Sequence, residues 1–202
     1  MSMIAAHTTY ALAWFSFGLG HSLLAGTRAK ALLAPTLGPY YRLSYNLLAG
    51  IHILAVWLLG HWAFAESPPF ALPGAAQTGM TGLSVLGVAI LLLALRGYDL
   101  GRLAGTAQIR NHYLRIAEPE DEPLRTDGFH AWVRHPLYAG VYMILWGNAQ
   151  DPFGLATAIW GSAYLAIGTM FEERRLLKLY GDAYQRYRAR VPAVFPWLGK
   201  AL

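Results

Sequence analysis

The chain has 202 residues, of which 55% are hydrophobic and only 13% are charged. A soluble domain carries about 25% charged residues, so polar surface is too scarce here for a water-soluble protein, and one integral membrane domain is expected. The absence of cysteine excludes disulfides, thiolate zinc sites and a cysteine nucleophile. The net charge of +5 does not indicate nucleic-acid binding, because the basic residues lie in separate clusters between apolar segments.

Five apolar segments follow one another along the chain, and we expect each to form a membrane helix in an all-α, polytopic fold. They cover approximately residues 9–25, 41–64, 81–95, 138–147 and 153–170. The fourth segment is shorter than the roughly 20 residues that span a bilayer. Only the turn-like residues 148–152 separate it from the fifth. The last two segments are therefore predicted to form an antiparallel helical hairpin.

The basic residues predict the orientation of these helices. They fall within residues 28–42, 96–134 and 174–200, whereas the segments around Glu66 and Asp151 contain none. Basic residues are enriched on the cytoplasmic side of membrane proteins. We therefore expect the N-terminus outside, and the loop 96–134 and the C-terminal tail in the cytoplasm, as in a protein of a bacterial inner membrane.

The C-terminal tail has a helical pattern of its own. From residue 171 to 191, large apolar and aromatic side chains recur at spacings of three and four, which places them on one face. Most of the basic side chains lie elsewhere around the helix. The pattern predicts a cytosolic amphipathic helix, with its basic side toward lipid headgroups or solvent.

Ionisable residues lie at both ends of the apolar segment 141–171. Arg134 and His135 precede Pro136, which suits the first turn of a helix, where exposed N–H groups favour an anionic ligand. Glu172 and Glu173 are predicted to begin a helix, and since neighbours on a helix differ by about 100°, only one of them should face a pocket. Ionisable groups at a membrane boundary indicate a functional site. The alternative is that these residues only anchor helix ends at the interface.

Two linked motifs resemble the signature of the isoprenylcysteine carboxyl methyltransferase superfamily. They are residues 128–140 (GFHAWVRHPLYAG) and 172–187 (EERRLLKLYGDAYQRY), followed by Val191 and two prolines. Residues 21–25 (HSLLA) and 41–46 (YRLSYN) are similar to the branch that contains NnrU and the methanethiol S-methyltransferases. The first resemblance covers about the C-terminal half of the chain and the second is confined to the N-terminal half.

This resemblance implies an integral membrane methyltransferase that uses S-adenosylmethionine without a Rossmann fold. Residues 1–96 would form an N-terminal three-helix part, and residues 97–202 the cofactor-binding part, of a single domain. The catalytic positions implied are Arg134, His135 and Glu172. The cofactor-binding positions implied are Leu124, Arg125, His130, His135, Pro136, Leu137, Tyr138 and Glu172, with His130 standing where the family has a tyrosine. No metal site is expected, because no motif such as HExxH occurs.

One departure from the family bears on the methyl acceptor. Prenylcysteine enzymes have an arginine four residues before the first glutamate, whereas this chain has Gly168. This departure favours a small or lipophilic thiol as acceptor, which would reach the site from the lipid bilayer. The alternatives are a prenylcysteine-type carboxyl O-methyltransferase, an NADPH-dependent reductase like the sterol reductases, and a non-enzymatic NnrU-like membrane protein.

Overall fold

A computed structural model of the protein describes residues 1–117 and 123–196. Within these residues all regular structure is helical, which confirms the predicted all-α class. The helices are α1 Met3–Ala25, α2 Thr27–Leu37, α3 Tyr41–Ala63, α4 Gly74–Leu95, α5 Leu100–Ala104, α6 Thr106–Leu114, α7 Pro136–Gly147, α8 Pro152–Tyr180 and α9 Asp182–Arg190. Two short 3₁₀ turns, Gly38–Tyr40 and Gly128–Ala131, complete the regular structure of this part of the chain.

Three stretches of the described chain are long and apolar enough to cross a membrane. They are Thr27–Ala63, Gly74–Leu95 and Pro152–Tyr180. The protein is thus an integral membrane protein, as its composition predicts. Helix α1 has 23 residues but includes polar side chains, and α7 has 12, which gives it a length of about 18 Å against a hydrocarbon core of about 30 Å. The count of five membrane segments therefore stays a prediction.

The first of two compact units contains residues 1–67 and the described residues from Tyr98 to 117. In it α1 packs against α3, and the side chains of Tyr10, Phe17 and Val56 are buried. The turn between α5 and α6 lies against α3 through Gly105, whose φ of +101° favours glycine. A β carbon at this glycine would lie 2.5 Å from the backbone nitrogen of Leu43.

The second unit contains residues 68–97 and the described residues from 123 onward, so α4 packs with the C-terminal helices. Its tightest contact joins α4 to α7, where two glycines face each other. A β carbon at Gly87 would lie 2.7 Å from the carbonyl oxygen of Gly140, and one at Gly147 would lie 2.5 Å from the carbonyl oxygen of Met80. Small residues allow this close approach of two helix backbones, a common way of packing membrane helices.

The predicted hairpin of the last two apolar segments is confirmed by α7 and α8. The hydroxyl of Tyr142 donates a hydrogen bond to the carbonyl oxygen of Ser162 (3.1 Å), and Trp146 Nε1 donates to the hydroxyl of the same serine (3.0 Å). Asp151 caps the start of α8 by accepting from the backbone N–H of Gly154 at 2.6 Å. These contacts hold the two helices side by side across a short turn.

The structure corrects the predicted boundaries of the tail. Helix α8 continues to Tyr180, so Glu172 and Glu173 lie inside it and do not begin a helix. No proline interrupts the sequence after Pro152 before the helix ends, and the charged residues simply extend the helix beyond its apolar part. The single helix predicted over 171–191 is also wrong, because Gly181, at φ +53°, separates α8 from α9.

Helix α9 is the predicted amphipathic element, although it is shorter than expected. Tyr184 and Tyr187 are buried, whereas Arg186, Arg188 and Arg190 are exposed. The aromatic face thus packs inward, and the basic face points away from the body of the second unit. This orientation places Tyr184 beside the ionisable residues at the start of α7 and near the end of α8.

Candidate active site

The segment before α7 is held by the chain that follows α9. The backbone N–H groups of Arg134 and His135 donate to the carbonyl oxygens of Pro192 and Ala193, each at 2.9 Å. Pro136, fully buried, then begins α7 as predicted. The N–H groups of Arg134 and His135 are therefore bonded within the protein, and an anionic ligand at the first turn of α7 stays a prediction. The first turn of α7 has no side-chain cap among the described contacts.

Glu173 is the centre of the polar cluster. Its Oε1 accepts hydrogen bonds from Arg134 Nε (2.9 Å), His135 Nε2 (2.7 Å) and the hydroxyl of Tyr184 (2.7 Å). Its side chain is only 12% exposed. A buried carboxylate is tolerated when it is paired and hydrogen-bonded, and bonds to a charged acceptor are the stronger kind. Glu173 therefore ties the start of α7, helix α8 and helix α9 together.

Arg134 uses its guanidinium within the protein. Besides Glu173, it donates from Nη1 to the carbonyl oxygens of Arg188 (3.3 Å) and Val191. Its side chain is 10% exposed. These bonds hold the end of α9 and the following chain against the start of α7, which is the arrangement expected of an anchoring residue.

His135 lies between both glutamates. Its Nε2 is 2.7 Å from Glu173 Oε1, and its Nδ1 is 3.5 Å from Glu172 Oε2. Burial disfavours the charged imidazole, but the two carboxylates outweigh burial and raise the pKa of His135. Both glutamates reach the same imidazole, because the ring presents nitrogens on different edges and each meets one carboxylate; that only one of them faces a ligand stays a prediction.

Glu172 forms the accessible side of the cluster. Its side chain is 40% exposed, and it shares a hydrogen bond with Tyr138, whose ring stacks on that of His135 at 5.4 Å between centroids and 12° between planes. One helical turn earlier, on the same face of α8, a β carbon at Gly168 would meet no atom within 4 Å. A carboxylate and an aromatic ring therefore adjoin one another here, and the helix face one turn before the carboxylate has room for a further group.

The remaining predicted cofactor-binding residues are Leu124, Arg125, His130 and Leu137. Leu137, in the first turn of α7, is half-buried, as is Leu124. His130 donates from Nδ1 to the carbonyl oxygen of Arg134 (3.2 Å), and burial lowers the pKa of its imidazole. Arg125 is exposed, lies against Gly97 and acts electrostatically on His130. The hydrogen bonds described for the Glu173 cluster involve neither Leu124 nor Arg125.

The sequence does not identify Tyr184 as a member of this cluster. The helical spacing of the tail places it on the inward face of α9, but spacing alone does not give its partner. In the structure burial and the hydrogen bond to Glu173 raise the pKa of the Tyr184 phenol. A buried tyrosine on an otherwise polar helix is a signal that a polar partner exists nearby.

His21 and Asp99, two polar residues of the first unit, have local partners. His21 Nε2 lies 2.6 Å from the hydroxyl of Tyr45. Asp99 caps α5 by accepting from the backbone N–H of Arg102 at 3.0 Å. Both residues therefore make hydrogen bonds within the first unit.

Comparison with known proteins places the chain among membrane methyltransferases. No protein-family model matches it, and no solved structure matches it significantly. It is 30% identical over 200 residues to a methanethiol S-methyltransferase of Crocosphaera subtropica, which covers 91% of this chain and 72% of that protein. It is 28% identical to a protein of the same name from Pseudomonas deceptionensis, over 90% of this chain and 70% of the relative.

A shorter match joins the chain to the wider superfamily. It is 33% identical over 92 residues to the protein-S-isoprenylcysteine O-methyltransferase of Schizosaccharomyces pombe, covering 43% of this chain and 38% of that protein. The matches to methanethiol S-methyltransferases are far more extensive, since they include both the N-terminal helices and the cluster around Glu173. On the identity and coverage of these matches, the chain belongs to the methanethiol S-methyltransferase family.

Proposed function

We propose that this protein transfers a methyl group from S-adenosylmethionine to the sulfur of a small thiol such as methanethiol, within a bacterial inner membrane. The observation that carries the proposal is the match to methanethiol S-methyltransferases over about nine-tenths of the chain. The accessible carboxylate beside open space in the second unit supports it, because a cationic methyl donor and a small neutral acceptor both suit such a site.

The residues around Glu172 fit S-adenosylmethionine. When bound, this cofactor supplies an electrophilic methyl group on a cationic sulfur. Glu172 is a half-exposed carboxylate that can attract a cation, and Tyr138 offers an aromatic ring beside it. Pro136 and Leu137 form the adjoining start of α7, where no side chain caps the helix. We assign cofactor binding to these residues and to the neighbouring loop that contains Leu124, Arg125 and His130.

Arg134 and Glu173 act indirectly in this proposal. They fix the imidazole of His135 and the segment before α7, so that Tyr138 and Glu172 keep their positions. We therefore assign Arg134 to positioning, while the sequence alone groups it with the catalytic residues. Holding the reacting atoms in line supplies a large part of the rate in such transfers, and the described site needs no covalent nucleophile.

The acceptor preference rests on Gly168. A carboxylate that approaches through the bilayer needs a cation, because an unpaired buried charge is costly. Gly168 provides none, and the nearby Arg134 is already bonded to Glu173. Therefore we propose a thiol without a carboxylate as acceptor. The partial match to a prenylcysteine O-methyltransferase makes carboxyl methylation the second candidate.

The orientation proposed for the site follows from the basic residues. Arg174 and Arg175 follow the two glutamates directly, and further basic residues occupy α9. Since basic residues favour the cytoplasmic side, the cluster should face the cytoplasm, where S-adenosylmethionine is available.

A radiolabel assay on the detergent-solubilised protein tests this function. Methyl-labelled S-adenosylmethionine is supplied with either methanethiol or a farnesylcysteine analogue, and the volatile thioether and the base-labile ester are counted separately. We expect the thioether and little ester. Calorimetric titration with adenosylhomocysteine and with NADPH should show binding of the first only. Strong ester formation, or binding of NADPH alone, would replace the proposal with one of its alternatives.

The variant Gly168→Arg provides a matched test of acceptor choice. The open space at this position can take a longer side chain, and an arginine would place a cation one turn from Glu172. We expect the variant to lose thiol methylation relative to wild type while it still binds adenosylhomocysteine. Unchanged thiol methylation would show that the acceptor does not occupy the space at Gly168.

A further inference from the structure

We propose that Glu172 is the general base that removes the proton from the acceptor thiol, with the thiol bound in the open space at Gly168. This inference rests on the proposed function. This role is distinct from cofactor binding, because a carboxylate oxygen of Glu172 accepts a proton from the second substrate, the thiol. The geometry that points to it is a partly exposed carboxylate one helical turn from Gly168, on the same face of α8, where a β carbon would meet no protein atom within 4 Å.

A thiol needs such a base, whereas a carboxylate acceptor does not. A carboxylate is ionised at neutral pH, but a cysteine thiol has a pKa of about 8.5, so a thiol is mostly protonated there. Moreover, a thiol that dissolves in a bilayer does so in its neutral form, since ions partition poorly into apolar surroundings. An enzyme that methylates neutral thiols must therefore accept a proton at the site.

Among the groups of the cluster, the carboxylate of Glu172 is best placed to accept it. Glu173 Oε1 already accepts three hydrogen bonds, and its side chain is nearly buried. Both ring nitrogens of His135 face carboxylates, so its lone pairs are not available to a thiol. Glu172 has a weaker contact with His135, at 3.5 Å, and is reached by solvent. Glu172 can therefore accept the thiol proton and pass it on to water.

The step balances in atoms and charge. The S–H proton passes to a carboxylate oxygen of Glu172, and the sulfur electron pair forms the new bond to the methyl carbon. The bond from that carbon to the sulfonium sulfur breaks, and its electron pair stays on the departing sulfur as adenosylhomocysteine. A carboxylate is a weak base, but the S–H proton becomes strongly acidic as the sulfur acquires its methyl group. Glu172 then releases the proton to water.

The test compares two acceptors of similar size and different acidity, ethanethiol and trifluoroethanethiol. At one mildly alkaline pH the fluorinated thiol is largely ionised and ethanethiol is not. With saturating S-adenosylmethionine, Glu172→Gln should lower kcat/KM for ethanethiol about 100-fold or more. It should lower the value for trifluoroethanethiol much less. Glu173→Gln is the matched control, and it should affect both acceptors by the same factor because it acts through position alone.

The outcomes separate this inference from the proposed function. An equal loss for both acceptors in Glu172→Gln would overturn the general-base role and leave the thiol methyltransferase intact. Wild-type protein that methylates neither thiol would overturn both. Thermal unfolding followed by circular dichroism on each variant shows whether the protein is still folded. Partial recovery of ethanethiol turnover in Glu172→Asp, which restores a carboxylate, would support the base assignment.

Discussion

Adjacent glutamates with identical side chains differ in their surroundings, and substituting each in turn tests the role of Glu173 as structural centre. In Glu173→Gln the amide replaces a carboxylate that accepts bonds from Arg134, His135 and Tyr184. Removing one partner of a buried ion pair costs about 3–5 kcal/mol, because the other charge stays buried. In a protein of this length each kcal/mol lowers Tm by about 2–4 °C. We expect Tm to fall by roughly 6–20 °C.

Glu172→Gln is the matched control, because the same change occurs one residue earlier on a side chain that is 40% exposed. Exposed ion pairs contribute about 0–1 kcal/mol, so Tm should fall by less than about 4 °C. Thermal unfolding in detergent, followed by circular dichroism, measures both variants. Glu172→Gln should nevertheless weaken binding of adenosylhomocysteine. Equal Tm shifts, or a larger shift for Glu172→Gln, would refute the assignment of Glu173 as the centre of the cluster.

Three further predictions concern protonation, packing and topology. The pKa of His135 is raised in the folded protein, so its charged form adds stability below the unfolded-state pKa of 6.5. This stability is lost as the pH rises through the folded-state pKa, and Tm should therefore fall on going to alkaline pH. His135→Gln should remove this dependence of Tm on pH. Gly87→Ala should destabilise the protein by about 1–3 kcal/mol, because the added methyl group clashes with α7. Gly82→Ala, where a β carbon on the same helix meets no atom within 4 Å, should leave the stability unchanged. Equal denaturation curves for the two variants would contradict the close packing of α4 and α7. Reporter fusions after Ala75 and after Ala117 should report opposite compartments, and a shared compartment would contradict the predicted orientation.

The sequence predicted the class of the protein and the neighbourhood of the site because those properties are carried by local composition. Long apolar stretches and few charges require a helical membrane protein, whatever the packing. The short fourth segment and the turn at 148–152 already favour the hairpin that Tyr142 and Ser162 confirm. The motif residues Arg134, His135 and Glu172 indeed meet near one end of this hairpin. Their roles in binding and catalysis stay predictions.

The sequence also led to errors about where the helices of the tail begin and end. Charged residues after the apolar segment suggested a new helix beginning at Glu172, yet α8 continues to Tyr180 and ends only before Gly181. Backbone hydrogen bonding is indifferent to the change from apolar to charged side chains. A helix therefore extends past the membrane boundary until a residue permits the chain to turn.

The sequence by itself determined an all-α membrane protein with a polar motif at the start of α7 and a second one near the end of α8. Only the tertiary structure decided that Glu173 is the buried centre, that Tyr184 completes it, and that Pro192 and Ala193 bond to the backbone before α7. The physical reason is that a membrane helix is identified by the summed hydropathy of residues that are close together in the sequence. The partner of a buried charge depends instead on the rotation of α8 and on where the return of the chain through Gly181 places α9.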